Sequence, residues 1–448
     1  MSKTKLLIGL FLAAALPAFG APTPFVTGHG EAGTFRGFED DAGGFYLVWV
    51  QGAAGKSVSL SAQHFSPEGK PLWDAGGLVV APQLSSSQDW SGLADGQGGL
   101  TLYWDEADGV HAQRFRPDGS RRRPGNSVHM STSTAIQPDA VPDAEGGTLV
   151  VWREFLPSGR SVLLAQRHNV DGERLWPGAG LRVSLRASDQ TNPRAIYDNM
   201  SGMIVAWRDE VNSASELRVQ RIDFQGNRLW GLEGLKITAP VGLKEFAQIA
   251  PLGSGEVVLA WTASDRQLNQ IFLQKVGPYA ALLWGTMTLA SNVSTLYNRW
   301  NPVLEGDENG GTWIAWEDFR NQVSYQVQLN HLHGDGKSPW PEGEIAVGPA
   351  AGDQGKVAIV RDGKDGAWVA WIDNRLATVG LYIQEVDGTG HRLQGAKGRL
   401  IADKLSAPSV PLLVSVGPGK SAVIWTDRPK NGQWALFWSF VEAPRQPQ

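Results

Sequence analysis

Eight tryptophans recur along this chain at almost constant spacing, and this period limits the possible folds more than any other feature. The intervals between them are 55, 48, 55, 54, 55, 55 and 54 residues, and each tryptophan ends a short apolar run such as Leu-Val-Val-Trp. A repeat of this length that contains several strand-like segments predicts a propeller rather than a row of unrelated domains. The anchor tryptophans, as we call them, are Trp49, Trp104, Trp152, Trp207, Trp261, Trp316, Trp371 and Trp425.

The repeat around Trp207 shows what one unit contains. Residues 193–198 and Met203–Trp207 are apolar enough for two strands that are joined by a Gly-containing turn, and Leu217–Ile222 alternates as a third strand should. Leu235–Thr238 supplies a fourth strand. Four short strands per repeat form one blade, so the sequence predicts an all-β, eight-bladed propeller of four-stranded antiparallel blades.

Three further features recur with the same period. Acidic, Gly-rich turns precede the anchor strands, and we expect tight hairpins there rather than calcium sites, because the oxygen spacing of a calcium loop is missing. A glutamine recurs in the third strand, and a tryptophan in the following turn is expected to wedge between neighbouring blades. The turns begin at Asp95, Asp143, Asp307 and Asp362. The third-strand glutamines are Gln63, Gln113, Gln166, Gln220, Gln274, Gln328 and Gln384. The tryptophans of the following turn are Trp73, Trp176, Trp230, Trp284 and Trp340.

The two ends of the chain are predicted to share one blade. The last repeat stops after its third strand, Trp434–Phe440, while Thr23–Thr27 near the N-terminus has no blade of its own. We therefore expect the eighth blade to combine 409–441 with 22–28, which closes the ring and removes open sheet edges. One propeller domain then covers 21–441, and 442–448 form a C-terminal tail.

Residues 1–20 have the features of a secretory signal. Lys3 and Lys5 precede the apolar run Leu6–Leu16, which is too short to span a bilayer, and small residues follow at Ala18–Gly20. We expect an exported protein, in the periplasm, at the cell surface or in the medium, with no integral membrane segment. The chain has no cysteine, which excludes disulfides and thiol chemistry, and its formal charge of −5 argues against a nucleic-acid surface.

The recurring Ala-Trp-x-Asp-x-Arg pattern, clearest in Ala315–Arg320 and Ala370–Arg375, resembles repeats of secreted bacterial β-propellers that are often labelled sialidase-like. The Gly-x-x-x-Trp turn, as in Gly172–Trp176, is similar to the tryptophan-docking turn of eight-bladed quinoprotein dehydrogenases and of the outer-membrane assembly propeller. These resemblances imply the fold alone. The sialidase Asp-box and the adjacent cysteine pair of many quinoproteins are both absent from this sequence.

Two sets of loops are expected on one face of the propeller, which we call the loop face: the loops after the anchor tryptophans and those entering the innermost strands. The loops after the anchors carry alternating acids and arginines, such as Asp318, Arg320, Asp373 and Arg375. A catalytic group is needed once, whereas a structural device is needed in every blade. We therefore predict that these recurring residues form ion pairs between neighbouring blades, and that functional residues depart from the repeat.

The departures lie before or within the innermost strands. Extra tryptophans flanked by amides, an aspartate and an arginine are typical of sugar recognition, since the ring stacks on a sugar while polar groups contact its hydroxyls. The alternative is that these tryptophans plug the central channel. The ligand-binding candidates are Gln88, Asp89, Trp90, Gln137, Asp139, Asn192, Arg194, Arg299, Trp300 and Asn301.

The sequence shows no pattern for a metal or a cofactor. His331 and His333 share one strand face, but two ligands are short of a zinc site. The other histidines, among them His111 and His129, form no recognisable motif, and no triad or phosphate-loop signature occurs. We therefore expect no metal site, no cofactor and no catalytic residue of a known type.

Three functions remain open from the sequence. The first is a non-enzymatic binding or scaffold module that recognises a glycan or a protein at its loop face. The second is a carbohydrate-active enzyme, for which two facing carboxylates are needed, with Asp89, Asp139, Glu317 and Asp318 as candidates. The third is a subunit of a cell-envelope assembly, which would show a broad apolar patch. A carboxylate pair without arginine partners would favour the enzyme.

Overall fold

The computed structural model describes residues 24–29, 32–52, 58–84, 89–123, 125, 127–131, 135–211, 214–237, 243–253, 255–265, 268–284, 288–289, 297–307, 309–320, 322–375, 377–428 and 433–443. The described parts contain strands and turns, and no helix long and apolar enough to cross a membrane is found among them. The secretory signal predicted at residues 1–20 lies outside these residues, as do Gln88 and Thr23.

Thirty-two strands form eight four-stranded antiparallel sheets, which confirms the eight-bladed propeller. Blade 1 consists of β2 (Ala32–Glu39), β3 (Phe45–Gln51), β4 (Ser59–Phe65) and β5 (Leu78–Ala81), and blade 2 of β6 (Trp90–Ala94), β7 (Leu100–Glu106), β8 (Gly109–Phe115) and β9 (Val128–His129). Blade 3 consists of β10 (Ala135–Pro142), β11 (Thr148–Phe155), β12 (Ser161–His168) and β13 (Leu181–Arg182). Blade 4 consists of β14 (Asp189–Tyr197), β15 (Gly202–Val211), β16 (Ala214–Asp223) and β17 (Leu235–Ile237).

The remaining four blades follow the same order. Blade 5 consists of β18 (Leu243–Pro251), β19 (Val257–Asp265), β20 (Leu268–Val276) and β21 (Thr288–Leu289), and blade 6 of β22 (Arg299–Gly306), β23 (Thr312–Asp318), β24 (Gln326–Leu332) and β25 (Ile345–Ala346). Blade 7 consists of β26 (Gln354–Arg361), β27 (Ala367–Asp373), β28 (Val379–Val386) and β29 (Arg399–Leu405). Blade 8 consists of β30 (Leu412–Ser415), β31 (Lys420–Asp427) and β32 (Gln433–Glu442) together with β1 (Val26–His29). The first strands of consecutive blades contact one another, which places them around the central channel.

The N-terminal strand completes the eighth blade, as the sequence predicts. β1 pairs antiparallel with β32, with Val26 opposite Leu436 and His29 opposite Gln433. The backbone N–H of Phe25 also donates to the carbonyl of Leu436 (2.8 Å). The strand thus begins slightly later than the predicted segment Thr23–Thr27, and both chain ends lie in one sheet with β1 as its outermost strand.

The hydrophobic core lies between the blades. Eight clusters of buried apolar side chains each combine residues of two neighbouring blades, and one of them joins blade 8 to blade 1. All eight anchor tryptophans are at most 2% exposed. The close approach of the chain to these rings explains some of the glycines: at Gly234 (φ 75°) a Cβ would come within 2.6 Å of the Trp207 ring. Each blade therefore depends on its neighbours for burial.

The recurring glutamine and the outer tryptophan form one chain of hydrogen bonds that reaches the next blade. In blade 1 the Gln63 side chain accepts the backbone N–H of Trp73 (3.0 Å) and donates to the carbonyl of Asp74 (2.7 Å). The Trp73 indole N–H then donates to the carbonyl of Pro117 in blade 2 (2.9 Å). The same indole bond to the next blade is made by Trp176, Trp230, Trp284 and Trp340, so the predicted wedge between blades is present.

The acidic turns use both oxygens of their aspartate within the fold. In blade 4, Asp198 Oδ1 accepts the backbone N–H of Met200 and Gly202, and Oδ2 accepts Arg221 Nε (2.8 Å). Equivalent pairs are Asp40 with His64, Asp95 with Arg114, Asp143 with Arg167, and Asp307 with His331. These turns are thus structural, and His331 has the same structural place as the arginines of other blades.

Blade 7 departs from this pattern, because buried Glu385 stands near Asp362 where blades 1, 2, 3, 4 and 6 have a histidine or an arginine. Burial, and then the charge of Asp362, raise the pKa of Glu385 to about 7, against the lowering effects of Gln394, Lys364 and Arg399. The folded state therefore prefers the protonated carboxyl. The stability from this preference is complete below the ordinary pKa of a glutamate and is lost as the pH rises through about 7.

We expect Glu385→Gln to stabilise the protein at pH 8 by about 2 kcal/mol and to change little at pH 5, because glutamine remains neutral at both values. Chemical denaturation at the two pH values measures the difference. Exposed Glu342 gives a matched control, since Glu342→Gln should leave the pH dependence as it is in the wild type. An equal effect of Glu385→Gln at pH 5 and pH 8 would contradict the interpretation.

Candidate functional site

Three innermost strands contain a β-bulge with an amide residue at its centre, beside the central channel. Gln137, Asn192 and Asn301 have φ angles of 55°, 53° and 50°, and each lies where the pairing of β10, β14 or β22 shifts register. A proline follows each of them. Such bulges re-aim side chains near functional sites. Lys356 in β26 shares the geometry (φ 54°), so four blades of the described part of the chain have this bulge.

One polar cavity of about 250 Å³ opens among the first strands of blades 1 to 4. Five of the predicted binding residues line it together, although they come from three different blades. Arg36 of β2 also lines the cavity and was not predicted, since it stands in an ordinary first strand without a flanking tryptophan. The lining residues are Arg36, Asp89, Trp90, Gln137, Pro138, Asn192, Pro193 and Arg194.

The two amide side chains of the cavity are bonded to each other. Gln137 Nε2 donates to Asn192 Oδ1 (3.2 Å), and Gln137 Oε1 accepts the backbone N–H of Asn192 (3.3 Å). These bonds join the bulge of blade 3 to the bulge of blade 4. The amides are therefore held at fixed positions before any ligand binds, which lowers the entropy that binding would cost.

Two arginines and one aspartate give the cavity its charge. Burial, and then the nearby charge of Asp105, raise the pKa of Asp89, although Arg194, Arg36 and Arg153 act in the opposite direction. Burial also lowers the pKa of Arg36, partly offset by Asp139. Arginine keeps its proton at any physiological pH. The lining thus carries two guanidinium groups and one carboxyl, an arrangement suited to a ligand that bears an acidic group.

Trp90 does not offer its ring face to a ligand. The residue is 3% exposed, its indole N–H donates to Thr34 Oγ1 (2.8 Å), and the Arg36 guanidinium lies 5.1 Å from the ring centroid. The ring and Arg36 form a cation–π pair. Trp90 therefore supports Arg36 at the cavity wall, and this position differs from sugar stacking, which was one of the two alternatives that the sequence left open.

Asp139 lies beside the cavity but does not line it. Its Oδ1 accepts Ser91 Oγ (2.9 Å) and its Oδ2 accepts the backbone N–H of Ala195 (2.9 Å). These contacts reach blade 2 on one side and blade 4 on the other. Both carboxylate oxygens of Asp139 thus connect blades, and its place is structural.

The candidates in blade 6 are not part of this cavity. Arg299 is 1% exposed, and its Nε lies 3.1 Å from Asp318 Oδ2, while its guanidinium also donates to Gln270 of blade 5. Asn301 donates to Glu317 Oε2 (3.0 Å), and Glu317 Oε1 accepts the backbone N–H of Lys356 in blade 7 (2.7 Å). These residues connect three blades. Trp300, between them, is partly exposed.

The acids and arginines after the anchor tryptophans pair mainly within a blade, which corrects the expectation of pairs between blades. Arg320 contacts Asp318 (2.8 Å) and Glu344, all in blade 6, and Arg375 Nε lies 2.7 Å from Asp373 Oδ2 in blade 7. The same aspartates accept the indole N–H of their anchor tryptophan, as in Trp371 to Asp373 (3.1 Å). The reason is local: the aspartate stands two residues after the tryptophan on the same strand face.

Of the four carboxyls considered for catalysis, only Asp89 lines the cavity. Asp139 bridges blades, Asp318 is fully buried between two arginines, and Glu317 belongs to the contacts of blades 6 and 7. Burial raises the pKa of Glu317. Among the described residues, the cavity therefore has one carboxyl and two arginines rather than two facing carboxylates.

No known family model matches the chain, and no curated protein matches it. Among solved structures, the chain is similar to a protein of unknown function from Dyadobacter fermentans DSM 18053, with 8% identity, a TM-score of 0.44 and coverage of 94% of this chain and 98% of that chain. A polysaccharide lyase of a new family, an ulvan lyase, matches with 11% identity, a TM-score of 0.49 and 94% coverage of both chains.

An endo-arabinase from Bacteroides thetaiotaomicron VPI-5482 matches with 12% identity and a TM-score of 0.32, over 69% of this chain and 95% of that chain. Likeness at these values says nothing about activity. None of the reported matches connects the chain with the sialidase-like or quinoprotein-type propellers that its repeats resemble.

Proposed function

We propose that the protein is a non-enzymatic binding module that takes an acidic sugar residue of a glycan into the cavity between blades 1 and 4. The observation that carries this proposal is the lining itself. Arg36 and Arg194 provide guanidinium groups, which bind carboxylates through paired hydrogen bonds. Gln137 and Asn192 provide amide groups for hydroxyls. The volume of about 250 Å³ is below that of drug-sized pockets and suits a single sugar ring.

Binding is favoured over catalysis by the surroundings of Asp89. Glycoside hydrolysis uses two carboxyl groups that flank the scissile bond. Here one carboxyl lines the cavity, and the positive charges of Arg194, Arg36 and Arg153 act on it, although burial and Asp105 outweigh them and raise its pKa. The carboxylate pair without arginine partners that would favour an enzyme is not found among the lining residues. An enzyme remains the second candidate on one observation, the raised pKa of Asp89, which suits a general acid.

A subunit of an envelope assembly fits the surface less well. Exposed leucines in the described residues recur in the turn after the third strand of several blades, at Leu72, Leu175, Leu229, Leu283 and Leu393. A single leucine per blade is a product of the repeat, whereas an assembly face would be marked by a broad apolar patch. We also propose that residues 1–20 direct export, which would bring the cavity into contact with extracytoplasmic glycans.

Binding of acidic sugars tests the proposed function. We expect residues 21–448 to bind glucuronate or galacturonate oligosaccharides and to discriminate against the neutral glucose and galactose oligomers, as measured by isothermal titration calorimetry. Arg194→Gln should weaken this binding about tenfold to a hundredfold, because a hydrogen bond to a charged group contributes about 1.5–3 kcal/mol. Arg194 is exposed, so the variant should fold normally.

The matched control is Arg392→Gln, which removes an exposed arginine of blade 7 outside the cavity and should bind like the wild type. Equal binding of acidic and neutral oligomers, or equal loss in both variants, would contradict the proposed function. Cleavage of any of these oligomers, lost in Asp89→Asn, would instead establish the enzyme.

A further inference from the structure

Blade 2 carries a cluster of histidines and acids that the sequence does not reveal. His111 in β8 and His129 in β9 are directly opposite each other in the strand register, and their rings stack with centroids 4.9 Å apart. Asp108, in the hairpin turn between β7 and β8, is close to both. Its Oδ1 lies 2.8 Å from His111 Nε2, and its carbonyl oxygen lies 2.9 Å from His129 Nε2.

We propose that Asp108, His111 and His129 bind one divalent transition-metal ion, with zinc as the reference ion. One ligand atom from each residue lies within 4.8 Å of the others. Zinc at bond lengths of about 2.0–2.2 Å to nitrogen and oxygen needs ligand atoms roughly 3.3 Å apart in a tetrahedron. Asp108 and His129 are exposed, so small rotations of their side chains close the remaining distance at little cost.

The neighbours of the cluster orient the ligands as outer-shell groups do in metal sites. His111 Nδ1 lies 2.9 Å from Ser127 Oγ, which fixes the ring so that Nε2 faces Asp108. Glu106 accepts the indole N–H of Trp104 with Oε1 (2.8 Å), and its Oε2 stands 4.0 Å from His111 Nε2. A histidine ligand typically bonds a second group through its other nitrogen. A zinc ion held by these three residues would keep a fourth coordination position for solvent.

The position of the cluster breaks the repeat, which is the mark expected of a functional feature. His111 is the cross-strand partner of the anchor Trp104, and His129 is its neighbour on the outermost strand. The equivalent partners of the other seven anchors are not histidine. They are Ser61, Leu164, Arg218, Phe272, Gln328, Tyr382 and Phe437.

Blade 2 differs from the other blades in length as well. It is the repeat with the short interval of 48 residues. Its turn after β7 is a tight hairpin in which Glu106 pairs with Gly109, like the corresponding turns of blades 4 and 5. It also lacks the outer tryptophan that blades 1, 3, 4, 5 and 6 use for docking. A metal ion here would join the β7–β8 hairpin to β9 and so stabilise the outer half of the blade.

Zinc titration of the full chain from Ala21, purified without a histidine tag and treated with chelator, tests this site. We expect one zinc ion per chain with a dissociation constant on the order of 1 µM or tighter, and a melting temperature that rises with zinc. His129→Gln should weaken the binding at least tenfold. X-ray absorption should show nitrogen and oxygen ligands at about 2.0–2.1 Å.

His391→Gln is the matched control, because His391 is also exposed beside a carboxylate, Asp387, but is not part of a group of three metal-ligating side chains among the described residues. It should bind zinc like the wild type. Asp108→Asn, a change in an exposed turn, should weaken binding as His129→Gln does. The proposal is overturned if the wild type shows no saturable one-to-one binding, or if His129→Gln and Asp108→Asn both bind zinc as the wild type does.

Discussion

A chain that begins at Gly30 is expected to unfold at a temperature roughly 5 °C or more below that of a chain that begins at Ala21. Removing β1 exposes the edge of β32 and deletes Phe25, whose ring packs on Trp49 (5.7 Å) and Phe65 (5.0 Å). Loss of a fully buried aromatic side chain costs about 3–5 kcal/mol, and Phe25 is partly buried, so its loss adds a part of this amount to the loss of the β1 backbone pairing. For a domain of this length, a loss on the order of 5 kcal/mol corresponds to several degrees. Differential scanning calorimetry measures the shift.

The point variant Phe25→Ala distinguishes the contribution of the Phe25 side chain to stability from that of the backbone pairing of β1. It keeps the backbone pairing of β1 with β32, so it should lower the melting temperature by less than the deletion does. Removal of residues 1–20 alone serves as the reference. Identical melting of the chains that start at Ala21 and at Gly30 would show that the ring closes without β1.

The fold could be predicted because it depends on features that every blade repeats. The anchor tryptophans set the number of blades, and the missing fourth strand of the last repeat required a strand from elsewhere. The N-terminal strand shows the limit of this reasoning. The sequence placed the strand at Thr23–Thr27, whereas its pairing with β32 begins at Val26. Register is set by side-chain packing against the neighbouring blade, and a short terminal strand gives little pattern from which to read it.

The candidate site was predictable in part. Asp89, Gln137 and Arg194 could be placed together because the loops that enter the innermost strands all lie on one face. Arg36 was not predicted, because its role depends on a contact between blades. The closed propeller brings blade 1 beside blade 2 and so places the Arg36 guanidinium on the indole ring of Trp90. Bulges also change which way a side chain points, and an amide followed by proline marks three of them in the sequence, whereas the bulge at Lys356 has no such sign.

The histidine cluster of blade 2 shows a different limit. His111 and His129 are 18 residues apart, a spacing that matches no metal motif. They meet because β8 and β9 pair with these two residues opposite each other. Contacts across a pair of strands depend on the register, and the sequence does not give the register of a two-residue strand.

Arg299→Ala is expected to lower the free energy of unfolding by about 3–5 kcal/mol, although the sequence grouped Arg299 with the ligand-binding residues. The variant leaves Asp318, which is 0% exposed, with Arg320 as its remaining arginine. It also removes the hydrogen bond from blade 6 to Gln270 of blade 5. Breaking one partner of a buried ion pair is costly because the other charge remains without full compensation. Urea denaturation measures the loss.

Arg194→Ala is the matched control, because Arg194 also lies in an innermost strand but is exposed at the cavity. It should change the free energy of unfolding by less than about 0.5 kcal/mol, as is usual for exposed positions, while weakening the binding of acidic sugars. The two arginines then separate a structural effect from a binding effect. Equal stability of Arg299→Ala and the wild type would show that the contacts of Arg299 do not support the ring, and would return this residue to the set of possible ligand contacts.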